Sequence, residues 1–140
     1  MHIRFESQTD LEDAMQALVA QDPRLKPILA QTGMPALRQR EPGFGGLAHI
    51  VCGQQLSTAS AAAIWARLSA AFDPFDPAAI RKARADRLGR LGLSAAKIKT
   101  LKFIARELAA DRLNLDVLAN EDVDAAHNTL TALHGIGPWT

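Results

Sequence analysis

The chain has 140 residues, a formal net charge of +1, 48% hydrophobic residues and 22% charged ones. That length suffices for one domain with a real core, and the balance excludes a wholly disordered chain. A single cysteine excludes an internal disulfide and a cysteine-based metal cage. Ala and Leu supply 44 residues against 19 of Val, Ile and Thr, and Tyr is absent, which favours helix over a β-sandwich or barrel. The start, MHIRFESQTD, lacks the apolar stretch of a signal peptide, and no run of about 18 apolar residues suggests a membrane span. The composition reads as a soluble, intracellular, all-α domain.

Thr9 with Glu12 three positions on has a capping-box pattern, and Leu11, Met15, Leu18 and Val19 follow on one face at helical spacing. Asp22-Pro23 starts a short helix that Gly33 ends, and Met34 to Pro42 reads as a connecting loop. A helix from about Phe44 carries Leu47, Ile50 and Val51 inward and runs into Gly53-Gln54-Gln55-Leu56. Ser57 caps the next helix, with Ala61, Ile64, Trp65, Leu68 and Phe72 as its buried stripe. Asp73-Pro74-Phe75-Asp76-Pro77 is a hinge loop ending in a cap and a proline start. Short helices punctuated by Gly89 and Gly92 precede a longer one capped by Ser94, with Ile98, Leu101, Ala105 and Leu108 on its inner face. The last helix starts near Glu121, with three acids in its first turn, and keeps Val123, Ala126, Leu130 and Leu133 together.

Charge is unevenly placed. Arg81 to Arg106 holds nine basic residues against Asp86 alone, and Glu107 to Asp124 reverses the sign with six acids against Arg112. The basic block is either an electrostatic footprint for a polyanion or the solvated faces of two helices. Cys52, in an apolar helix, reads as a small core residue. His134 suits a helix C-terminus, and His49 and His127 lack the spacing of a metal site.

The most informative segment is Leu133-His134-Gly135-Ile136-Gly137-Pro138-Trp139-Thr140. Two glycines around one aliphatic residue allow a tight reversal whose successive N–H groups point outward as an anion site, with Ile136 plugging the gap between two helices. The alternative is a glycine C-cap followed by a proline-started helix. Upstream, Gly53-Gln54-Gln55-Leu56-Ser57 puts two long amide side chains at a helix junction where one serine cap would suffice. Between them lies Leu91-Gly92-Leu93-Ser94-x-x-Lys97.

The Gly-Ile-Gly run resembles the helix-hairpin-helix motif. With the other two segments, in order and approximate spacing, the chain from about Pro42 to Thr140 resembles the 3-methyladenine DNA glycosylase II (AlkA) family of the helix-hairpin-helix glycosylase superfamily. The resemblance implies a single, incomplete all-helical domain over 1–140, with N-terminal helices in 1–41 and the glycosylase helical core in 42–140, up to the start of the second hairpin helix. Residues Gly135, Ile136, Gly137, Thr140, Ser94 and Lys97 would bind the DNA backbone, and a monovalent cation would sit on the hairpin carbonyls at Gly135–Gly137. Gln55, supported by Gln54 and Ser57, would fill the space left by a flipped nucleotide, with Leu56 next in line.

Trp139 would face the base pocket, unless it is a plain core residue opening the next helix. Its slot is a lysine in relatives that form a Schiff base and cut the strand, so the resemblance implies a monofunctional enzyme acting through water. An indole also suits alkylated purines, which carry positive charge. The implied activity is excision of alkylated bases from double-stranded DNA after base flipping, by a monomer needing no other cofactor, no metal and no membrane. The family's catalytic aspartate is expected beyond Thr140, so no catalytic residue is expected in these 140 residues, which alone would be inactive. The rival readings are a non-catalytic helix-hairpin-helix module that binds the DNA backbone, and a helical interaction domain in which Gly-Ile-Gly is only a turn.

Overall fold

The computed structural model describes residues 4–140, which are helical and without strands. The chain divides into two units, 1–40 and 41–140.

In the first unit, α1 (Gln8–Gln21) begins two residues before the sequence pattern suggests. The capping box is built by Ser7 and Asp10, not by Thr9 and Glu12. The Ser7 hydroxyl accepts the Asp10 N–H at 3.2 Å, and the Asp10 carboxylate accepts the N–H groups of Ser7 and Glu6 at 2.7 and 2.9 Å. These bonds hold the Asp10 carboxyl below the ordinary carboxylate range. Asp22 caps a 3₁₀ turn (Pro23–Leu25) that leads into α2 (Lys26–Thr32), so the expected short helix has a tighter first turn. The return segment is stapled to the start of α1, because the Gln8 side chain accepts the Leu37 N–H at 2.8 Å and donates to the Pro35 carbonyl at 3.0 Å.

In the second unit, α3 (Gly43–Gly53) buries Ala48, Val51 and Cys52 completely. Ser57 caps α4 (Thr58–Ala71), which contributes Leu68 to the core, while Ile64 and Trp65 are half-buried and Phe72 closes the helix. The Trp65 indole stacks on His49 at 4.5 Å, a partner that spacing alone does not suggest. After the hinge, Asp76 and Pro77 open α5 (Pro77–Lys82), followed by α6 (Ala85–Arg90). Ser94 caps α7 (Ala95–Ala109), the central helix, whose Ile98, Leu101, Ile104 and Ala105 meet α3, α5 and α6. A single turn α8 (Leu115–Leu118) and α9 (Val123–Thr131) complete the unit.

Two expectations for α9 change. Asp122 is the cap, which puts Glu121 outside the helix, and Val123 is 61% exposed. The helix ends at Thr131, before Leu133, because the chain must turn there to form the Gly-Ile-Gly reversal; Ala126, Leu130 and Leu133 still pack on the core.

Helix ends leave carbonyls without partners, and basic side chains close several of them. Arg67 donates to Leu91, Arg87 to Ala71, Lys97 to Cys52, and Lys102 to Ala83 and Arg81. Arg84 and Arg90 both pair with Asp86. Much of the basic block therefore serves the fold.

Cys52 is fully buried, and burial pushes its thiol up to about 11 although the Lys97 charge opposes the shift. The native chain should accordingly be inert to a thiol reagent such as DTNB at pH 8 and react with one equivalent once unfolded in denaturant. Rapid labelling of folded chain would show that α3 opens readily.

Candidate nucleic-acid interface

Three segments far apart in the sequence meet at one cleft of about 510 Å³: Gln54 and Gln55 after α3, Ser94 to Lys97 at the start of α7, and Gly135 to Thr140 after α9. Each side chain arrives there for a local reason.

At the junction of α3 and α4, Gln54 ends α3 and Gln55 sits at φ 57, a left-handed conformation that costs a residue with a Cβ roughly 1–2 kcal/mol. Such a tip holds its shape only where the surroundings over-determine it. The consequence is that the two glutamines part. Gln54 turns inward and donates to Thr140 Oγ1 at 2.6 Å, whereas Gln55 is exposed, with Leu56 beside it also exposed. The Ser57 hydroxyl is spent on capping α4, where it accepts the Ser60 N–H at 3.2 Å.

On the α7 side, the Ser94 hydroxyl accepts the Lys97 N–H at 3.3 Å as the helix cap. The Lys97 ammonium donates to the Cys52 carbonyl at 2.7 Å, closing the end of α3. That bond uses one of three ammonium hydrogens and fixes a positive charge in the cleft wall. Of the nine basic residues between Arg81 and Arg106, Lys97 alone lines the cleft among the described residues. The basic block as a whole is thus not the footprint there.

The Gly-Ile-Gly turn differs in detail from the outward row of N–H groups that its sequence suggests. Ile136 is buried as the plug, and its N–H donates to the Leu133 carbonyl at 3.1 Å. The Gly137 N–H donates to Thr140 Oγ1 at 3.0 Å. Both amides close the turn on itself, because a reversal this tight brings acceptors back within reach. The Gly135 N–H has no acceptor among the described residues.

The two glycines are also unequal. Gly135 has φ +83, and a Cβ there would lie 1.9 Å from Thr100 Oγ1 on α7. At Gly137 the nearest atom to such a Cβ is 4.0 Å away, so the fold itself does not require glycine. Thr100, the one buried polar residue among those described, is the floor on which the turn rests, and its helical position gave no sign of that in the sequence.

Past the turn, Trp139 is 99% exposed, so no side chain among the described residues covers it. Its free indole forms part of the cleft wall with Pro138. His134 lies outside the cleft lining, exposed, with its ring 6.1 Å from that of Phe103. Asp111, Asp116, Asp122 and Asp124 occupy loop, first-turn and cap positions, and no carboxylate side chain lines the cleft among the described residues. No group of three or more His, Cys, Asp or Glu among the described residues could hold a metal ion. No helix among them is long and apolar enough to cross a membrane.

The family profile described as HhH-GPD superfamily base excision DNA repair protein matches residues 48–138, from α3 into the turn. The chain belongs to this superfamily. The HhH-GPD match contains all of the junction and α7 segments and stops one residue short of Trp139.

Two solved structures share the fold at a TM-score of 0.73 each. One is a DNA-3-methyladenine glycosidase from Bacillus halodurans, 25% identical, covering 99% of this chain and 63% of its own. The other is the Schizosaccharomyces pombe 3-methyladenine DNA glycosylase Mag1 in complex with abasic DNA, 26% identical, covering 81% of this chain and 59% of its own. The chain thus spans about three fifths of each. No curated protein matches it by sequence.

Proposed function

We propose that this HhH-GPD chain is part of a monofunctional DNA glycosylase that hydrolyses the N-glycosidic bond of alkylated bases of the 3-methyladenine type. The observation that carries the proposal is the pairing, across one cleft, of an exposed glutamine in a left-handed tip with a fully exposed tryptophan. The two structural relatives are 3-methyladenine glycosylases, one of them holding abasic DNA, which supports the substrate class.

In this reading the duplex lies over the cleft, with backbone phosphate near Gly135, Gly137, Thr140, Ser94 and Lys97. The damaged nucleotide swings out of the stack, and Gln55 enters the gap, its amide able to bond to the orphaned opposite base. Trp139 stacks on the extruded base, whose positive charge the indole face attracts. An alkylated purine is already a good leaving group. The remaining task is to stabilise an oxocarbenium-like sugar and orient water, which a carboxylate does in glycosidases. No residue of 4–140 is assigned that role. Tryptophan cannot form a Schiff base, so no strand cleavage accompanies hydrolysis.

For a monovalent cation at Gly135–Gly137 the turn offers backbone carbonyls. The Gly137 carbonyl already accepts the Thr140 N–H at 3.1 Å, and its second lone pair would serve as a ligand. Such an ion would add positive charge near a phosphate, and no step depends on it. The enzyme would act as a monomer.

The test is Gln55→Ala in the whole protein, assayed on a 3-methyladenine or 7-methylguanine lesion in duplex and in single strand. Excision from duplex should fall at least tenfold, since refilling the stack is worth a few kcal/mol, roughly, and single-strand excision should change much less. Thermal stability should hold, because an exposed tip carries little packing energy. Equal losses on both substrates, or a melting point several degrees lower, would make Gln55 structural and move the wedge to Leu56. A non-catalytic module would bind duplex equally well with either residue at position 55.

A further inference from the structure

A short polar network ties the α3–α4 junction to the turn after α9. Gln54 Nε2 donates to Thr140 Oγ1 at 2.6 Å, and the Gly137 N–H donates to the same oxygen at 3.0 Å. A threonine hydroxyl has two acceptor lone pairs and one donor hydrogen. Both lone pairs are therefore in use, and the hydroxyl hydrogen has no acceptor among the described residues. Thr140 is half-buried and forms part of the cleft wall.

We propose that Gln54 is a positioning residue: together with the Gly137 amide it saturates the acceptor side of Thr140 Oγ1 and makes that hydroxyl a dedicated donor to a phosphate oxygen of DNA in the cleft. An anionic acceptor is favoured over a neutral one because the Lys97 ammonium and the unpaired Gly135 N–H belong to the same cleft. A hydroxyl without such partners would rotate and trade donor for acceptor roles, losing direction. The network also sets the turn against the Gln55 tip, since Gln54 is its chain neighbour. Gln54 then supports the interface without touching DNA, unlike a second wedge. This inference rests on the DNA-binding reading of the cleft.

The experiment is a double-mutant cycle on the chain, with affinity for a fluorescein-labelled undamaged duplex read by anisotropy at low salt. Thr140→Val should weaken binding about tenfold, the size expected for a hydrogen bond to a charged group. Gln54→Met should weaken it about three- to tenfold alone and have no further effect in the Thr140→Val background. Thr140→Ser, which keeps the hydroxyl, should bind within about twofold of wild type. Without DNA, both Gln54→Met and Thr140→Val should shift the Gly137 amide resonance in ¹H–¹⁵N spectra, with the melting temperature unchanged.

If the two losses multiply, Gln54 contacts DNA by itself and the positioning role is overturned, while the DNA-binding reading stands. Thr140→Ser as weak as Thr140→Val would overturn it too, by assigning the effect to the methyl group. A wild-type chain that fails to bind duplex sinks the DNA-binding reading and this inference with it.

Discussion

Gly135→Ala should unfold the turn after α9, at a cost of about 3 kcal/mol, among the larger effects a single surface substitution produces. Two penalties add. A side chain at φ +83 is in a region that residues with a Cβ avoid, and the new carbon would fall 1.9 Å from Thr100 Oγ1. Thr100 is buried within α7, so it cannot move aside cheaply. Gly137→Ala is the matched control. With 4.0 Å to the nearest atom, it should change stability by less than about 0.5 kcal/mol. Urea melts of the two variants against wild type check this, and Gly135→Ala melting like wild type would disprove the close approach to α7. Duplex binding adds a second reading. Gly135→Ala should lose it through collapse of the turn, while any loss in Gly137→Ala would report a phosphate close to that position.

Trp139→Ala should leave stability within about 0.5 kcal/mol of wild type, because an indole that is 99% exposed has almost no packing to lose. Its effect on binding should be large. Stacking of a base on an aromatic ring is worth about 1–3 kcal/mol, so affinity for a duplex with an extruded nucleotide should fall about five- to a hundredfold. Fluorescence offers a direct measurement, since Trp65 and Trp139 are the two tryptophans. Titrating such a duplex should quench the emission of wild type, while in Trp139→Phe the remaining Trp65, stacked on His49 in the fold, should respond little. Full affinity in Trp139→Ala would leave the tryptophan without a role in the cleft.

Short-range chemistry is what the sequence by itself determined. Helix was legible from the Ala and Leu content, and the caps Ser57, Asp76 and Ser94 were legible because a capping side chain bonds within three residues of its own position. The three chemistry-bearing segments were legible as motifs, since their residue types are unusual for plain turns. At α1 the capping pattern points two residues past the true cap, Ser7. Ser7 with Asp10 and Thr9 with Glu12 both satisfy the pattern, and only the backbone geometry chose between them. Tertiary structure decided everything that depends on partners far along the chain. Gln54 and Gln55 are neighbours of identical chemistry, yet one is held by Thr140 and the other is free, because the junction's backbone turns them apart. Gly135 and Gly137 look equivalent in the motif, and packing on Thr100 makes only the first obligatory. The basic block reads as a candidate polyanion footprint, but five of its side chains close helix ends or pair with Asp86, and which carbonyl lies within reach of a long side chain is set by how the helices cross. Periodicity can say which face of a helix is apolar. Where that face ends, and what a polar side chain finds opposite it, follows only once the helices are packed.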